Sequence, residues 1–148
     1  MFYKIMESFY LSKEKIDEVL AQQPVQGKKL MEPLKALAAE KKLPINLLED
    51  HEVADNKAEV HILEHDLWLC LTGTGKFIYG GEMHEPFFSK AKDGTEKKHE
   101  IRAYKIIGGT ELVMKPGDWL WVPAGVPHWH GEEKTARYAI IKIPVASK

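Results

Sequence analysis

The first stretch with side chains suited to metal or acid–base chemistry covers residues 59–75 and reads EVHILEHDLWLCLTGTG. Glu59 and His61 alternate, and alternate residues of an extended chain point to the same side, so we expect both on one face of a sheet. Asp66 follows after a turn-like gap and begins the next strand-like run. The stretch therefore presents one imidazole and two carboxylates as candidate ligands or proton carriers.

The second stretch is Gly117–Gly131, GDWLWVPAGVPHWHG. A short apolar, β-favouring run is broken sharply by Pro-Ala-Gly, and His128 and His130 then occupy alternate positions. This pattern predicts a strand, a tight turn and a second strand that presents two imidazoles to one face of a sheet.

These residue types favour a metal centre. A divalent transition metal prefers imidazole nitrogens and carboxylate oxygens from separate rigid elements, with positions left open for water or substrate. His61, Asp66 and His128 supply two histidines and one carboxylate, a set that suits iron, manganese, nickel, cobalt or zinc. His130 is either a further ligand or a polar group at the rim of the site. Three more residues are candidate extra ligands or partners of ligands: Glu59, His65 and Glu100.

Acid–base chemistry and substrate binding have their own candidates. Glu59 is a candidate ligand, a hydrogen-bond acceptor beside a ligand, or a general base. Glu100 and Arg102 alternate in a later strand-like run, so both can face the same cavity. An inward Arg102 would bind a carboxylate or phosphate through paired hydrogen bonds, and Glu100 would transfer protons. The alternative is an ion pair on the outer face.

A mainly β structure must hold these residues. From Ile45 onward the chain consists of short strand-like runs separated by glycine and proline turn signals, which is typical of a sandwich or barrel. The predicted strands are Ile45–Leu48, Ala58–Leu63, Leu67–Leu71, Lys76–Tyr79, Glu100–Ile107, Glu111–Met114, Trp119–Val122 and Ala136–Ile143. The polar segment Glu82–His99 is predicted to be an exposed loop or hairpin.

The N-terminal third has a different character. Met1–Leu11 is aromatic and apolar and predicts a strand or a packing arm. Ser12 is placed to cap a helix from Lys13 to about Gln22, and a second amphipathic helix is expected from about Lys28 to Lys42. We expect these helices to cover a sheet or to pack in an interface, without chemistry of their own.

Composition excludes several classes of protein. The chain has 148 residues and a formal net charge of -1, which favours neither nucleic acid nor an acidic membrane surface as a partner. No stretch approaches the roughly 20 apolar residues of a membrane span, and the N-terminus lacks a signal-peptide pattern. Cys70 is the single cysteine, so a disulfide within the chain is excluded and a reducing, cytoplasmic location is expected.

The second stretch resembles the second sequence motif of the cupin superfamily. That motif is a glycine, five residues, Pro-x-Gly, two residues and a histidine, followed after three residues by an asparagine. Gly117, Pro123, Gly125 and His128 match it at every spacing, and Glu132 stands in place of the asparagine.

The first stretch resembles the first cupin motif with two departures. That motif is His-x-His, three or four residues, a glutamate, six residues and a glycine. His61 takes the second histidine position and Gly73 the closing glycine, whereas Glu59 stands for the first histidine and Asp66 for the glutamate.

The resemblance implies a fold and a range of functions. It covers about Ala58 to Ile143 and implies a small antiparallel jelly-roll β-barrel of the RmlC-like type, with the ligands inside its mouth, in a homodimer. We expect one domain over 1–148, with a helical extension over 1–44 and the barrel over 45–148. Cupins include dioxygenases, sugar isomerases and epimerases, lyases and non-catalytic binders. We expect a metal-dependent enzyme acting on a small polar or anionic metabolite by isomerase, lyase or dioxygenase chemistry. The alternatives are a non-catalytic metal- or ligand-binding module and a metal-free scaffold.

Overall fold

The structure is a computed structural model that describes residues 7–146. Strands hold 54% of the described residues and helices 11%, so the chain is mainly β, as predicted. The elements in chain order are α1 (Lys13–Leu20), β1 (Gly27–Leu30), α2 (Leu34–Lys41), β2 (Ile45–Val53), β3 (Ala58–His61), β4 (Glu64–Thr72), β5 (Gly75–Tyr79), β6 (Glu82–His84), β7 (Phe87–Lys90), β8 (Glu96–Ala103), β9 (Lys105–Ile107), β10 (Thr110–Met114), β11 (Trp119–Val122) and β12 (His128–Pro144).

Ten of these strands form one antiparallel sheet that curls into a half-barrel. One layer has the order β1-β2-β12-β4-β11, and the other has the order β10-β5-β12-β3-β8-β7. Strand β12 belongs to both layers, because its first residues pair with β5 while its later residues pair with β2 and β4. An irregularity between Glu132 and Thr135 marks the crossing from one layer to the other. Strands β6 and β9 pair separately.

The concave side of the sheet holds the main apolar core. Alternate residues of β4, β11 and β12 point inward, as the period of two in a strand requires. The buried members of this cluster are Leu48, Trp68, Cys70, Phe77, Met114, Leu120, Val122, Ala136, Tyr138 and Ile140.

The two helices cover the convex side of the first layer. Ser12 caps α1 and accepts a hydrogen bond from the Lys15 backbone N–H at 3.2 Å, as its position in the sequence predicts. A second apolar cluster forms between the helices and the sheet, and its buried members are Val19, Met31, Leu34, Leu47 and Ala139.

A buried ion pair, which we call the clasp, attaches the N-terminal segment to the sheet. Glu49 of β2 accepts hydrogen bonds from Arg137 of β12 at 2.7 Å (Nε) and from the Val25 backbone N–H at 3.0 Å. Arg137 also donates to the carbonyl oxygens of Leu20, the last residue of α1, and of Gln22, which follows the helix. Both charged side chains are buried, at 0% and 8% exposure. The clasp therefore connects the end of α1 to two central strands.

The predicted start of the second helix, at about Lys28, is wrong. The chain over Gly27–Leu30 is strand β1, which pairs with β2, and the helix begins only at Leu34. The free edge of β2 offers hydrogen bonds to an extended chain, and Leu30 then packs on the inner core. This tertiary pairing overrides the weak local helix preference. The segment predicted as a helical extension thus contributes a strand to the sheet.

Other expectations differ in smaller ways. The segment Glu82–His99 contains β6, β7 and the start of β8, and β7 and β8 pair as an antiparallel hairpin. The predicted strand Glu100–Ile107 is interrupted at Tyr104. Most of the predicted segment Met1–Leu11 lies outside the described residues. Within residues 7–146, no helix has the length and apolar character that crossing a membrane requires.

Candidate metal centre

The tight turn before β12 holds the two sequence motifs together. Gly125 adopts a φ of 84°, a conformation that side chains other than glycine rarely adopt. Its backbone N–H donates a hydrogen bond of 2.8 Å to the carbonyl oxygen of His61. The neighbouring Ala124 N–H donates to His65 Nδ1 at 2.9 Å. These two bonds fix the start of β12, so that His128 faces His61 with a ring-centroid distance of 5.2 Å.

Three side chains converge closely enough to hold one metal ion. Glu59, His61 and His128 each offer a ligand atom, and the three atoms lie within 4.8 Å of one another. The Nε2 atom of His61 lies 3.7 Å from Glu59 Oε2. Glu59 is thus a member of the group that best fits a metal, although the sequence favoured Asp66 as the carboxylate ligand.

Asp66 is a second carboxylate close to the same two imidazoles. Its Oδ2 atom is 3.6 Å from His61 Nε2 and 3.4 Å from His128 Nε2, while its Oδ1 accepts a hydrogen bond of 2.6 Å from Lys142. Burial alone would raise the pKa of this carboxyl, but the contacts with His128 and Lys142 lower it to about 2. Asp66 is therefore an anion with one oxygen directed at the histidines.

The orientation of His128 suits a metal ligand. Its Nδ1 lies 3.3 Å from the carbonyl oxygen of Val126 and donates to it, which leaves Nε2 to face the carboxylates. His128 Nε2 and Asp66 Oδ2 are both buried, and neither has a hydrogen-bond partner within residues 7–146. Metal-bound histidines commonly donate the other ring N–H to an oxygen. Unpaired buried nitrogen and oxygen atoms facing one another fit a divalent cation between them.

The protonation states of His61 and Glu59 also suit metal ligands. Burial and the nearby Lys142 lower the pKa of His61 to about 4, so its imidazole is neutral at neutral pH and has a lone pair to offer. Burial alone would raise the pKa of Glu59, but Lys28 and the surrounding histidines lower it to about 2. The centre therefore places a neutral imidazole, that of His61, beside the ionised carboxylates of Glu59 and Asp66.

His130 lies apart from this group in a second polar pair. Its Nδ1 is 2.5 Å from Asp50 Oδ2, and its ring packs on Trp68 and Phe77. Both members of the pair are buried, at 1% and 0% exposure. The structure does not bring His130 into the group of Glu59, His61 and His128.

His65 supports the turn and is not among the converging ligand atoms. Besides accepting from the turn, its ring stacks on Trp121 at a centroid distance of 5.0 Å. The structure therefore gives this candidate ligand a supporting position beside the second motif.

Arg102, the predicted substrate-binding residue, forms an ion pair with Glu100, the predicted proton-transfer residue. Arg102 donates two hydrogen bonds to Glu100 Oε1, at 2.6 Å and 3.1 Å, and its Nη2 lies 3.4 Å from Glu59 Oε1. Burial would raise the pKa of Glu100, but Arg102 lowers it, so Glu100 is ionised. The notion of an outer-face pair is wrong, because Arg102 lines the cavity beside the candidate metal ligands.

One open cavity connects these residues. It has a volume of about 350 Å³ and includes donors from the first motif together with Lys28, Arg102, Lys142 and apolar residues of the inner core. The sequence did not predict that Lys28 and Lys142 line this cavity. Lys28 sits in a segment predicted to be helical, so no pattern placed it inward. Lys142 alternates with Tyr138 and Ile140 in a predicted strand, and that alternation was the available signal.

Comparisons with known proteins find solved structures of similar fold but no matching sequence. No protein-family model matches the chain, and no curated protein sequence matches it. The X-ray structure of E. coli ycfD is similar with a TM-score of 0.50 and 16% identity, covering 85% of this chain and 36% of that chain. Peruvianin-I, a cysteine peptidase from Thevetia peruviana latex, gives a TM-score of 0.44 and 13% identity, covering 68% of this chain and 49% of that one.

The similarity to ycfD concerns the fold alone. The TM-score with peruvianin-I is too low to support an argument. The chain spans about a third of the length of ycfD and about half the length of peruvianin-I.

Proposed function

We propose that this chain is a metal-binding member of the cupin superfamily with a jelly-roll barrel. The metal would be held by Glu59, His61 and His128, with Asp66 Oδ2 as a further ligand. The observation that carries the proposal is the convergence of two imidazole Nε2 atoms and two carboxylates from β3, β4 and β12. The spacing of the second sequence motif and the curled antiparallel sheet support the same conclusion.

The activity that best suits this centre is that of a metal-dependent enzyme acting on a small polar or anionic metabolite. A bound divalent ion supplies Lewis acidity or, if iron, oxygen activation, which leaves isomerase, lyase and dioxygenase chemistry as the candidate classes. Arg102 would orient an anionic group of the substrate through its planar guanidinium. Glu100 holds that guanidinium in place through two hydrogen bonds, which favours a positioning role over proton transfer.

Elemental analysis by inductively coupled plasma mass spectrometry tests the centre directly. The untagged protein should be purified without added metal and measured again after reconstitution with iron, manganese, nickel, cobalt or zinc. We expect near-stoichiometric metal that is lost in His128→Ala and retained in His84→Ala, a matched variant at an exposed histidine. Equal metal in both variants, or none in the reconstituted wild type, would exclude the centre.

A non-catalytic binding module is the second candidate. The contacts of Glu100 and Glu59 favour it, because one is paired with Arg102 and the other is a candidate metal ligand, so both carboxylates predicted to transfer protons already have another role. Metal-loaded protein should be incubated with candidate sugars, sugar acids and catechols, with and without oxygen, while products are followed by mass spectrometry. Product formation that His128→Ala abolishes identifies an enzyme, whereas saturable binding without product identifies a module.

A homodimer and a reducing, cytoplasmic location belong to the same proposal. Trp119 and Trp121 of the edge strand β11 are 60% and 47% exposed, and burying them against a second copy would remove a large apolar area from water. Cys70 is a buried free thiol, which agrees with a reducing location. Sedimentation equilibrium of the wild type and of Trp119→Ser/Trp121→Ser tests the dimer, and a monomeric wild type would exclude it.

A further inference from the structure

The cations of the cavity are matched by carboxylates. Lys28 lies 3.3 Å from Glu59, and Lys142 donates to Asp66 at 2.6 Å. Arg102 is paired with Glu100 at 2.6 Å, and Lys29, which also lines the cavity, lies 3.6 Å from Glu49. Each of these four cations therefore already faces a carboxylate before any metal enters. A divalent ion in the same partly enclosed space would add two positive charges without a counter-charge.

Glu59 is both a candidate metal ligand and the carboxylate that attracts Lys28 and Arg102. Lys28 Nζ is equidistant from its two oxygens, at 3.3 Å each, and Arg102 Nη2 lies 3.4 Å from Oε1. On its other side, Oε2 lies 3.7 Å from the Nε2 atom of His61. A carboxylate that donates its electron pairs to a metal loses most of its attraction for a neighbouring ammonium or guanidinium. Metal binding would therefore free Lys28 from its carboxylate partner. It would also remove the attraction of Glu59 for Arg102, which keeps its two hydrogen bonds to Glu100.

We propose that Lys28 and Arg102 form the anchor for a small anionic ligand, and that binding of metal to Glu59 makes this anchor available. Metal and anion then bind with positive coupling, and each tightens the affinity for the other by the same factor. The inference rests on the proposed metal centre and adds to it a ligand class and an order of binding.

The geometry selects a carboxylate or phosphate group as the ligand. The planar guanidinium of Arg102 matches two oxygens of such a group, and Lys28 adds a point charge beside it. Both side chains are partly exposed, at 36% and 28%, so an incoming ligand can reach them. The cavity of about 350 Å³ admits a small molecule only. A dianion would restore the charge balance that the metal disturbs.

Strand β1 provides the lysine and also a matched control. Lys28 is paired in register with Asp50, an inward residue, and points into the cavity toward Glu59. The next residue, Lys29, also lines the cavity, but its ammonium lies 3.6 Å from Glu49, the carboxylate with which it is paired in register, and so is not at Glu59. Replacing either lysine by methionine removes one charge from the same strand, but only Lys28→Met removes it from the anchor.

Isothermal titration calorimetry tests the anchor with malonate, with inorganic phosphate and with the neutral analogue malonamide. Each is titrated into metal-free and metal-loaded wild type, Lys28→Met and Lys29→Met. Metal content is measured before and after every titration, which identifies any extraction of metal by malonate. Thermal denaturation of each variant verifies that it is folded.

We expect at least one anion to bind the metal-loaded wild type about tenfold or more tightly than the metal-free protein, as loss of the competing carboxylate requires. In loaded Lys28→Met that affinity should fall about tenfold or more at unchanged metal content, while Lys29→Met stays within about twofold of the wild type. The anion with the larger response identifies carboxylate or phosphate as the recognised group.

Three results would overturn the inference. They are equal anion affinity with and without metal, equal affinity in wild type and Lys28→Met, and malonamide binding as tightly as malonate. If the wild type takes up metal and one of these results follows, the anchor fails and the metal centre stands. If the wild type takes up no metal, both fail together.

Discussion

Two buried ionic clusters lie on opposite faces of the same sheet and differ in how their polar atoms are satisfied. In the clasp, Glu49 and Arg137 use their charged atoms in bonds to each other and to backbone groups of the N-terminal segment. In the candidate metal centre, His128 Nε2 and Asp66 Oδ2 are equally buried but have no hydrogen-bond partner among residues 7–146.

This difference separates structural from functional burial of charge. Burying a charge is expensive, and complete partnering is the way in which a cluster with a purely structural role offsets that cost. Buried atoms left without a partner destabilise the fold unless something else binds them. The clasp and the candidate centre are alike in burial and charge, so these two properties do not indicate which of them binds a ligand. The unpaired atoms distinguish them and favour the centre on the concave side.

Breaking the clasp should have the largest effect on stability. Arg137→Met removes the main partner of the buried Glu49 carboxylate and leaves it with the Val25 N–H and the more distant Lys29 ammonium at 3.6 Å. We therefore expect a loss of about 3 kcal/mol in the free energy of unfolding, measured with urea. The double variant Glu49→Leu/Arg137→Met removes both charges and should recover much of this loss. A cost below about 1 kcal/mol for the single variant would contradict a structural role for the clasp.

The candidate centre should contribute to stability only when metal is bound. A ligand that binds the folded state alone stabilises it by about 2.7 kcal/mol at a concentration one hundred times its dissociation constant. We expect an increase of this size for the wild type, measured as the shift in unfolding with and without the reconstituting metal. Arg137→Met should show the same increase and His128→Ala none; an equal response of His128→Ala would locate the metal elsewhere.

Acid should weaken the clasp. Burial alone would raise the pKa of Glu49, but its hydrogen bonds from Val25 and Arg137 lower it below the ordinary 4.5. Since the folded state binds the proton more weakly than the unfolded state, this contribution is present above about pH 4.5 and is lost as the pH falls through the lowered pKa. The free energy of unfolding in urea should therefore fall less steeply between about pH 7 and about pH 3 in Glu49→Leu/Arg137→Met than in the wild type. Equal slopes would contradict this assignment.

The smallest effect is expected at Tyr138. Its hydroxyl lies inside the concave core and has no hydrogen-bond partner within the described part of the chain. Removing an unpaired buried hydroxyl relieves a desolvation cost, so Tyr138→Phe should leave stability unchanged or raise it by up to about 1 kcal/mol. Thermal denaturation measures the change, and a loss of more than about 1 kcal/mol would mean that the hydroxyl has a partner.

Local patterns in the sequence predicted much of the concave side. Strand Trp119–Val122 has the predicted bounds, and the alternation of Glu59 with His61 places both at the cavity. These features follow from the period of two in strands and from the Pro-x-Gly turn, both of which act over a few residues.

Features that depend on distant parts of the chain could not be predicted in the same way. The pairing of β1 with β2 brings Lys28 into the cavity, and no short-range pattern in that segment indicates a strand. Likewise, periodicity placed Glu59 on the same face as His61, but only the distances between strands show how near Glu59 and Asp66 each lie to the histidines. Non-local pairing therefore decides the details of the centre.

Strand β12 has a consequence for the order in which the protein is made. It lies between β2 and β4 in one layer and between β5 and β3 in the other, and it carries His128, Arg137 and Lys142. The 62 residues from Asp66 to His128 take about 3–12 s to synthesise at about 5–20 residues per second. During that time the nascent chain exposes Glu59, His61 and Asp66 without the strand that joins the layers. The complete set of candidate ligands therefore exists only after the ribosome has released β12, so metal binding at the proposed centre would mark a chain whose sheet has closed.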